Sequence, residues 1–208
     1  MPESDPKLLV STNWLAEHLS APDVKVLDAS MFLPGDERNA RAAFAAGHIA
    51  GTQFFDIDEI SDKSSALPHM LPPVEKFVSR VRKLGIGDGH RVVVYDQDGL
   101  FSAARVWWMF RVFGHDDIAV LDGGLPKWIA EGRALDDMPT PARDRHFTAR
   151  KDASLVRDVT QVAASMKVGE DQIVDARAPA RFRHAPRRAL RPRYSPRSPR
   201  TARFAHRG

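Results

Sequence analysis

The sequence predicts an α/β fold in which a mainly parallel sheet is flanked by helices. Four short apolar runs predict its buried strands: VKVLD (24–28), VVVYD (92–96), IAVLD (118–122) and QIVD (172–175). An apolar run without alternation is typical of a strand covered on both faces, as in parallel sheets. Helical patterns lie between these runs, and the alternation of strand and helix indicates βαβ units.

Three segments between the strands carry the helix patterns. PVEKFVSRVRKLG (73–85) has an apolar stripe at helical spacing and a glycine that can end the helix. SAARVWWMFRVFG (102–114) begins at Ser102, a residue type that favours the N-cap, and is apolar nearly all round. We therefore expect this helix to be buried on more than one side. LPKWIAEG (125–132) has Pro126 near its first turn and ends at a glycine.

Two stretches of the chain resemble each other and predict a tandem repeat. LVSTNWLAEHLSAPDVKVLDAS (9–30) aligns with LVRDVTQVAASMKVGEDQIVDAR (155–177), a period of about 147 residues. Each opens with Leu-Val, continues in a helical pattern and ends in a strand pattern followed by Asp-Ala. The sequence therefore predicts the following organisation: a first domain over 8–133, a linker over 134–154, the beginning of a similar second domain over 155–183, and a disordered basic tail over 184–208.

The charge of the chain is unevenly distributed. The formal net charge is +4, but the residues from 182 onward hold nine arginines and no Asp or Glu. Residues 1–181 then keep 22 basic and 27 acidic residues and a net charge of −5. An argument from basicity to nucleic-acid binding therefore applies to the tail alone.

The composition excludes several classes of site. The chain has no cysteine, which rules out disulfides, thiolate metal sites and thiol nucleophiles within it. No signal peptide and no membrane-spanning run is predicted, so the expected location is the cytoplasm. The histidines lack metal spacing, and the acidic segment 56–65 lacks the central Gly and terminal Glu of a calcium loop. No cofactor and no metal is predicted.

The loop YDQDGLFSAARVWW (95–108) is the most distinctive candidate site. In open α/β sheets, sites lie beyond the carboxyl ends of the strands, where helix N-termini present free backbone N–H groups. Asp96 stands at the lip of this loop. Its carboxylate could act as an acid or base or bind a metal, or it could cap the turn and the helix, which is the commoner role of Asp at such turns.

Several motifs resemble the two-domain sulfurtransferases, the rhodanese and 3-mercaptopyruvate sulfurtransferase group. They are HIAGTQFFDIDEISDKSSALPHMLP (48–72), YDQDGLFSAARVWWMFRVFGH (95–115), VLDGGLPKWIAEGR (120–133) and QIVDARAPARFR (172–183). The resemblance spans about residues 8–183. It implies two similar α/β domains of which only the second is catalytic.

The resemblance also implies roles for individual residues. The family carries a cysteine in the active loop of its second domain, which takes sulfur from mercaptopyruvate or thiosulfate as a persulfide and passes it to a thiol or cyanide. Asp96 occupies the equivalent loop position of the first domain, and no residue of this chain matches the catalytic cysteine. Arg181 matches the arginine that binds the anionic group of the substrate, for which a guanidinium fork is suited.

These observations predict a sulfurtransferase-family chain that is inactive in sulfur transfer, with a small-molecule sulfur donor and a thiol acceptor as the partners of the family. The Arg/Pro-rich tail departs from the family pattern after about residue 183, and we interpret it as a truncated or frameshifted terminus. The alternatives are a non-catalytic rhodanese-like binding or regulatory module, and a basic tail that binds nucleic acid. Nucleic acid is the less expected partner, and self-association through an exposed, incomplete second domain is also predicted.

Overall fold

The computed structural model describes residues 8–169, 171–176 and 183. The chain divides into two compact units between Arg157 and Asp158. The first unit contains, in chain order, β1 (Leu9–Val10), α1 (Thr12–His18), β2 (Val24–Asp28), α2 (Ala40–Ala46), β3 (Gln53–Phe54), α3 (Val74–Lys83), β4 (Arg91–Tyr95), α4 (Ala103–Val112), β5 (Ile118–Leu121), α5 (Gly124–Ala130) and a 3₁₀ turn (Ala153–Leu155).

The five strands form one sheet in the order β1-β5-β4-β2-β3, and every pairing is parallel. β4 lies in the centre of the sheet and pairs with β2 over its whole length, from Val24 opposite Arg91 to Asp28 opposite Tyr95. This register places the carboxyl ends of the central strands at one edge of the sheet. The predicted α/β architecture with a parallel sheet flanked by helices is confirmed.

Each face of the sheet carries its own hydrophobic core. Val92 and Val94 of β4 point to the face covered by α3 and α4, whereas Val93 and Tyr95 point to the face covered by α1 and α5. This alternation follows from the period of two in a strand. Because both faces are covered, most residues of β2, β4 and β5 are apolar, which explains why the apolar runs predicted these strands.

The four predicted strands differ in outcome. VKVLD, VVVYD and IAVLD coincide with β2, β4 and β5 to within one residue at each end. The prediction for QIVD (172–175) was wrong, because this segment forms no strand in the structure. Ile173 is 52% exposed and Val174 is 78% exposed. A strand needs a neighbouring strand for its backbone groups, and no described strand pairs with this segment.

The segment 134–154, predicted as a linker, belongs to the first unit and packs against the rest of it. Phe147 is 3% exposed and its ring contacts those of Phe77 and Phe110. Asp88 holds the backbone nearby, because its carboxylate accepts hydrogen bonds from the N–H (2.6 Å) and the hydroxyl (2.9 Å) of Thr148. Desolvation raises the pKa of Asp88, but these hydrogen bonds outweigh it and hold the pKa below its ordinary value.

The second unit begins with α6 (Val159–Val168). Asp158 and Gln161 form a capping box at its start, and Gly169 ends it in the left-handed conformation with φ of 75°. The helix agrees with the helical pattern of the predicted repeat. The tandem repeat and the boundaries 8–133, 134–154, 155–183 and 184–208 stay predictions, and the predicted tail lies outside the described residues. In the part of the chain that the structure describes, no helix is long and apolar enough to cross a membrane.

Candidate functional site

The loop of residues 96–102 lies at the carboxyl end of β4, the central strand. Asp28 ends the neighbouring β2, and Asp122 follows the neighbouring β5. The loop leads into α4, so its backbone N–H groups gather at the first turn of that helix. This is the edge of the sheet at which open α/β folds place their sites, as the sequence predicts.

Asp96 is the residue around which this loop is built. Its Oδ2 accepts hydrogen bonds from the N–H groups of Phe101 (2.7 Å), Ser102 (2.8 Å) and Ala103 (2.8 Å). Its Oδ1 accepts a fourth from the N–H of Asp98 (3.0 Å). The residue is 1% exposed. Both carboxylate oxygens are therefore directed into a cradle of backbone donors.

These contacts give Asp96 the capping role among the two that the sequence left open. Ser102 occupies the N-cap position of α4 as predicted, but its side chain makes no capping hydrogen bond. The carboxylate of Asp96 instead satisfies the N–H groups at the start of the helix, where a negative charge also interacts favourably with the helix dipole. A carboxylate that is 1% exposed and has both oxygens hydrogen-bonded to backbone N–H groups offers almost no surface to a substrate or a metal ion.

A buried carboxyl group at the end of β2 is connected to the loop through hydrogen bonds. Asp28 is fully buried, and its Oδ1 accepts a hydrogen bond from the N–H of Ser30 (2.8 Å). The hydroxyl of Ser30 in turn accepts one from the N–H of Gln97 (3.0 Å) in the loop. Burial raises the pKa of Asp28, because the ionised form loses its hydration. Burial, followed by the charge of Asp28, also raises the pKa of Tyr95.

The start of α5 packs directly against the loop. Gly124 has φ of 56°, and a Cβ atom there would lie 2.6 Å from the carbonyl oxygen of Asp96 and 3.0 Å from the Cα of Gly99. Only glycine fits this close approach of two backbones. The LDGG motif (121–124) therefore forms a turn that closes one side of the loop.

A cavity of about 340 Å³ lies between the turn after β2 and the start of α2. Ser30, Phe32, Arg38 and Arg41 contribute to its lining. Arg38 joins the cavity to the loop, because its guanidinium forms an ion pair with Asp98 at 2.8 Å. The cavity is thus adjacent to the candidate site without containing Asp96.

The family model described as a rhodanese-like domain matches residues 11–131, which run from the N-cap of α1 to the end of α5. The chain belongs to the rhodanese-like family. The match includes the loop 96–102 and both central strands that support it. The candidate site is therefore part of a rhodanese-like domain.

Several curated proteins are similar to this rhodanese-like chain. The 3-mercaptopyruvate sulfurtransferase of Homo sapiens is 40% identical over 199 residues, which cover 91% of this chain and 67% of that protein. The protein of the same name from Escherichia coli is 41% identical over 174 residues, with coverage of 83% and 62%. The mitochondrial thiosulfate/3-mercaptopyruvate sulfurtransferase 1 of Arabidopsis thaliana is 41% identical, with coverage of 84% and 52%. The chain thus spans 52 to 67% of the length of these relatives.

Solved structures agree with this assignment. The crystal structure of SseA from Escherichia coli, a 3-mercaptopyruvate sulfotransferase, superposes with a TM-score of 0.79 at 40% sequence identity. It covers 84% of this chain, and the chain covers 67% of it. The Tum1 protein of Saccharomyces cerevisiae gives a TM-score of 0.76 at 26% identity, with coverage of 86% and 63%.

The remaining sequence-predicted residues have different outcomes. Arg181, the predicted substrate-binding residue, lies outside the described residues, so its role stays a prediction. The acidic segment 56–65 forms turns in which Asp56 binds Arg41 and caps the N–H of Glu59, and Asp62 caps Ser64. Within residues 8–169 and 171–176, no group of His, Cys, Asp and Glu side chains could hold a metal ion.

Sequence reasoning missed three arginines of this rhodanese-like domain: Arg38, Arg41 and Arg105. Arg38 and Arg41 flank the start of α2, whose alanine-rich sequence has no apolar stripe to predict a helix. Arg105 lies in the first turn of α4 and stacks on Trp108. The spacing of three between Arg105 and Trp108 was the available signal, since residues three apart share a helix face.

Proposed function

We propose that this chain is a sulfurtransferase-family protein whose first unit is a non-catalytic rhodanese-like domain, and that its 208 residues carry out no sulfur transfer. The observation that supports the proposal is the position of Asp96. A carboxylate occupies the backbone cradle of the loop that, by the resemblance, carries the family's cysteine in the second domain. The chain has no cysteine elsewhere to take over this role.

The chemistry of the family reaction explains why Asp96 cannot replace a thiol. A persulfide forms when a thiolate attacks the transferable sulfur of a donor: a new S–S bond forms, the bond between that sulfur and the rest of the donor breaks, and the rest of the donor leaves with the electron pair. A carboxylate cannot hold sulfur in this way. The oxygens of Asp96 are also engaged with the N–H groups of residues 98, 101, 102 and 103. The cradle therefore serves the fold of the first unit.

The proposal predicts that the purified chain does not form thiocyanate from cyanide with either thiosulfate or 3-mercaptopyruvate. Thiocyanate is measured by its coloured iron complex, with buffer and donor alone as the blank. The 3-mercaptopyruvate sulfurtransferase of Escherichia coli, prepared in the same way, is the positive control. Turnover that exceeds the blank and scales with the concentration of this chain would contradict the proposal.

The finer elements of this function are proposals from the resemblance. The expected ligands of the family are a small-molecule sulfur donor and a thiol acceptor, and Arg181 is the proposed contact for the anionic group of the donor. The proposed location is the cytoplasm. A non-catalytic binding module and nucleic-acid binding by residues 184–208 were the alternatives from sequence, and no contact of the described residues favours either.

We also propose that the chain self-associates through apolar side chains of its second unit. In α6, Val159 is 83% exposed, Met166 71% and Val168 66%, and Val174 beyond it is 78% exposed. Apolar side chains at such density favour burial against another surface. We expect sedimentation velocity to show association that increases with protein concentration and is weakened by Met166→Glu.

Lys167→Glu is the matched control for the self-association experiment. It adds negative charge to the same helix without removing an apolar side chain. We expect it to leave association closer to that of the parent chain than Met166→Glu does. A chain that stays monomeric at all concentrations would contradict this part of the proposal.

A further inference from the structure

Residues 143–152, here called the strap, lie against the segments that lead into β4 and β5, at the edge of the sheet opposite the candidate site. The N–H of Asp88, before β4, donates a hydrogen bond to the carbonyl oxygen of His146 (3.1 Å). The N–H of Arg150 donates one to the carbonyl oxygen of Phe113 (3.0 Å), before β5. The backbone of the strap is therefore attached to both segments.

Phe147 anchors the strap, and His115 forms part of the pocket that holds its ring. Phe147 is 3% exposed and His115 is 7% exposed. The imidazole of His115 lies 5.5 Å from the ring of Phe147 and 5.6 Å from that of Phe110, measured between ring centroids. Its Nε2 is buried and has no hydrogen-bond partner among the described residues. Because a cationic imidazole carries a proton on both nitrogens, protonation would make Nε2 a buried donor without an acceptor.

His90 lies in the segment that holds the strap before β4, and its hydrogen bond requires a neutral imidazole. Its Nδ1 accepts a hydrogen bond from the N–H of Gly87 (2.8 Å). Protonation of Nδ1 would remove this acceptor and leave two N–H groups facing each other. Burial lowers the pKa of His90, and the positive charges of Lys25 and, on the strap, of Arg145 lower it further. The charge of Asp23 opposes them with a smaller effect.

The carboxylates near the two histidines do not reverse this preference for the neutral form. Burial lowers the pKa of His115. Backbone groups of His90 and Asp117 oppose this lowering, as do the charges of Asp117 and Asp88, without cancelling it. A positive charge on His115 also lowers the pKa of His90. On the strap, the Nδ1 of His146 lies 3.1 Å from Asp88, but the side chain of His146 is 80% exposed and such a pair contributes little.

We propose that the strap is a pH-sensitive latch, which stays attached while His115 and His90 are neutral and detaches locally when mild acid protonates them. Detachment would open both imidazoles to water, which hydrates the cation. Because both pKa values are lowered in the attached state, attachment is strongest above the ordinary histidine pKa of about 6.5 and weakens as the pH falls through that value. Asp88, whose pKa is held below its ordinary value, stays ionised in this range. The latch involves neither Asp96 nor sulfur transfer, so it can fail without the proposed function, and the reverse also holds.

The experiment is hydrogen–deuterium exchange of the purified chain at about pH 7 and about pH 5.5, on either side of the ordinary histidine pKa, followed by mass spectrometry. Rates are divided by those of the unfolded chain at the same pH, so that each ratio reports a local opening constant. At the lower pH we expect the opening constant of strap peptides to rise by up to about eightfold for each histidine, the limit set by a pKa of about 6.5 in the detached state. Peptides that cover β4 should have much smaller opening constants at both pH values, because they open only when the whole unit unfolds.

His115→Phe keeps an aromatic ring against Phe110 and Phe147 but cannot be protonated, so it should remove the share of His115 in this rise. His18→Gln is the matched control, because His18 is a half-buried histidine of the same unit whose ring stacks on Trp14 (4.1 Å between ring centroids). It should keep the full rise. Should His115→Phe fail to fold by circular dichroism, His115→Gln replaces it, since glutamine is neutral at both pH values.

Three results would overturn the latch. The first is an opening constant of the strap that does not rise at the lower pH in the parent chain. The second is a rise in the His115 variant as large as in the parent chain, or an equal loss of the rise in His18→Gln. The third is equal opening constants for the strap and for β4, since the strap would then detach only when the unit unfolds.

Discussion

Replacing Asp96 by alanine should lower the free energy of unfolding by about 3 kcal/mol, because it leaves buried backbone donors without partners. The N–H groups of Ser102 and Ala103 belong to buried residues, and water has little access to replace the carboxylate there. A change of this size corresponds to a fall of roughly 6–12 °C in melting temperature for a chain of this length. Urea unfolding and thermal unfolding, both followed by circular dichroism, measure it.

Two further variants distinguish loss of the cap from a general effect on the loop. Asp96→Asn keeps one acceptor oxygen for the N–H groups at the start of α4 and should cost about 1 kcal/mol, less than alanine. The loss is a single hydrogen bond, because the N–H of Asp98 would face the NH₂ group of the asparagine instead of an acceptor oxygen. Asp98→Ala removes only an exposed ion pair with Arg38 and should cost roughly 0–1 kcal/mol. If Asp96→Ala unfolds within the error of Asp98→Ala, the four hydrogen bonds do not stabilise the fold as the geometry indicates.

The sequence predicts the three central strands of the first unit well because their signal is local. Each central strand is an apolar run that ends at a carboxylate, and β2, β4 and β5 follow those runs closely. QIVD has the same pattern and forms no strand. The difference is tertiary, since Val94 and Leu27 have strand neighbours and a covering helix, whereas Ile173 and Val174 are largely exposed. A pattern cannot report whether a partner strand is present.

The contacts of the segment 134–154 could not be predicted for a related reason. Its prolines and alternating charges are typical of a linker, and Phe147 is the one Phe, Trp or Tyr in it. The structure attaches it mainly through backbone groups, such as the N–H of Arg150 to the carbonyl of Phe113 (3.0 Å) and the N–H of Asp152 to the carbonyl of Val112 (2.7 Å). Every residue type offers such groups, so the sequence carries little signal of where they pair.

For the candidate site too, the sequence predicts which residue is central but not the arrangement of the groups around it. That Asp96 stands in a strand-to-helix loop, and that capping is its commonest role there, follows from the sequence. The number of donors that surround it does not. That number depends on the path of the backbone over 97–102. The close approach of Gly99 and Gly124 permits this path, and the hydrogen bond from the N–H of Gln97 to the hydroxyl of Ser30 holds it in place. Three separate strand ends must meet before the cradle exists.

Asp96→Cys should turn the cradle into a thiolate site, with a thiol pKa of about 7 or lower against about 8.5 for a free cysteine. The side chain of cysteine is one bond shorter than that of aspartate, so the introduced Sγ atom would lie farther from the three N–H groups that Oδ2 contacts at 2.7–2.8 Å. Hydrogen bonds to sulfur are longer than those to oxygen, and they suit this larger distance. Burial favours the neutral thiol, but several donors at a helix N-terminus favour the anion, and the anion prevails in proteins with this arrangement.

The measurement is clean because the parent chain has no cysteine, so the introduced thiol would be the only one in the variant. The rate of alkylation by iodoacetamide as a function of pH, followed by mass spectrometry, gives the thiol pKa. Ultraviolet titration of the thiolate gives it independently of access by the reagent. Asp137→Cys is the matched control, since Asp137 is exposed and its replacement should yield an ordinary thiol.

The comparison of these two variants separates the opposing effects of burial and of the backbone donors. A thiol pKa in Asp96→Cys at or above that in Asp137→Cys would mean that burial outweighs the donors, and that the loop stabilises Asp96 only by capping geometry. A lower thiol pKa in Asp96→Cys would show that the backbone of the loop already favours a thiolate. One side chain would then separate this loop from one able to hold a reactive sulfur anion.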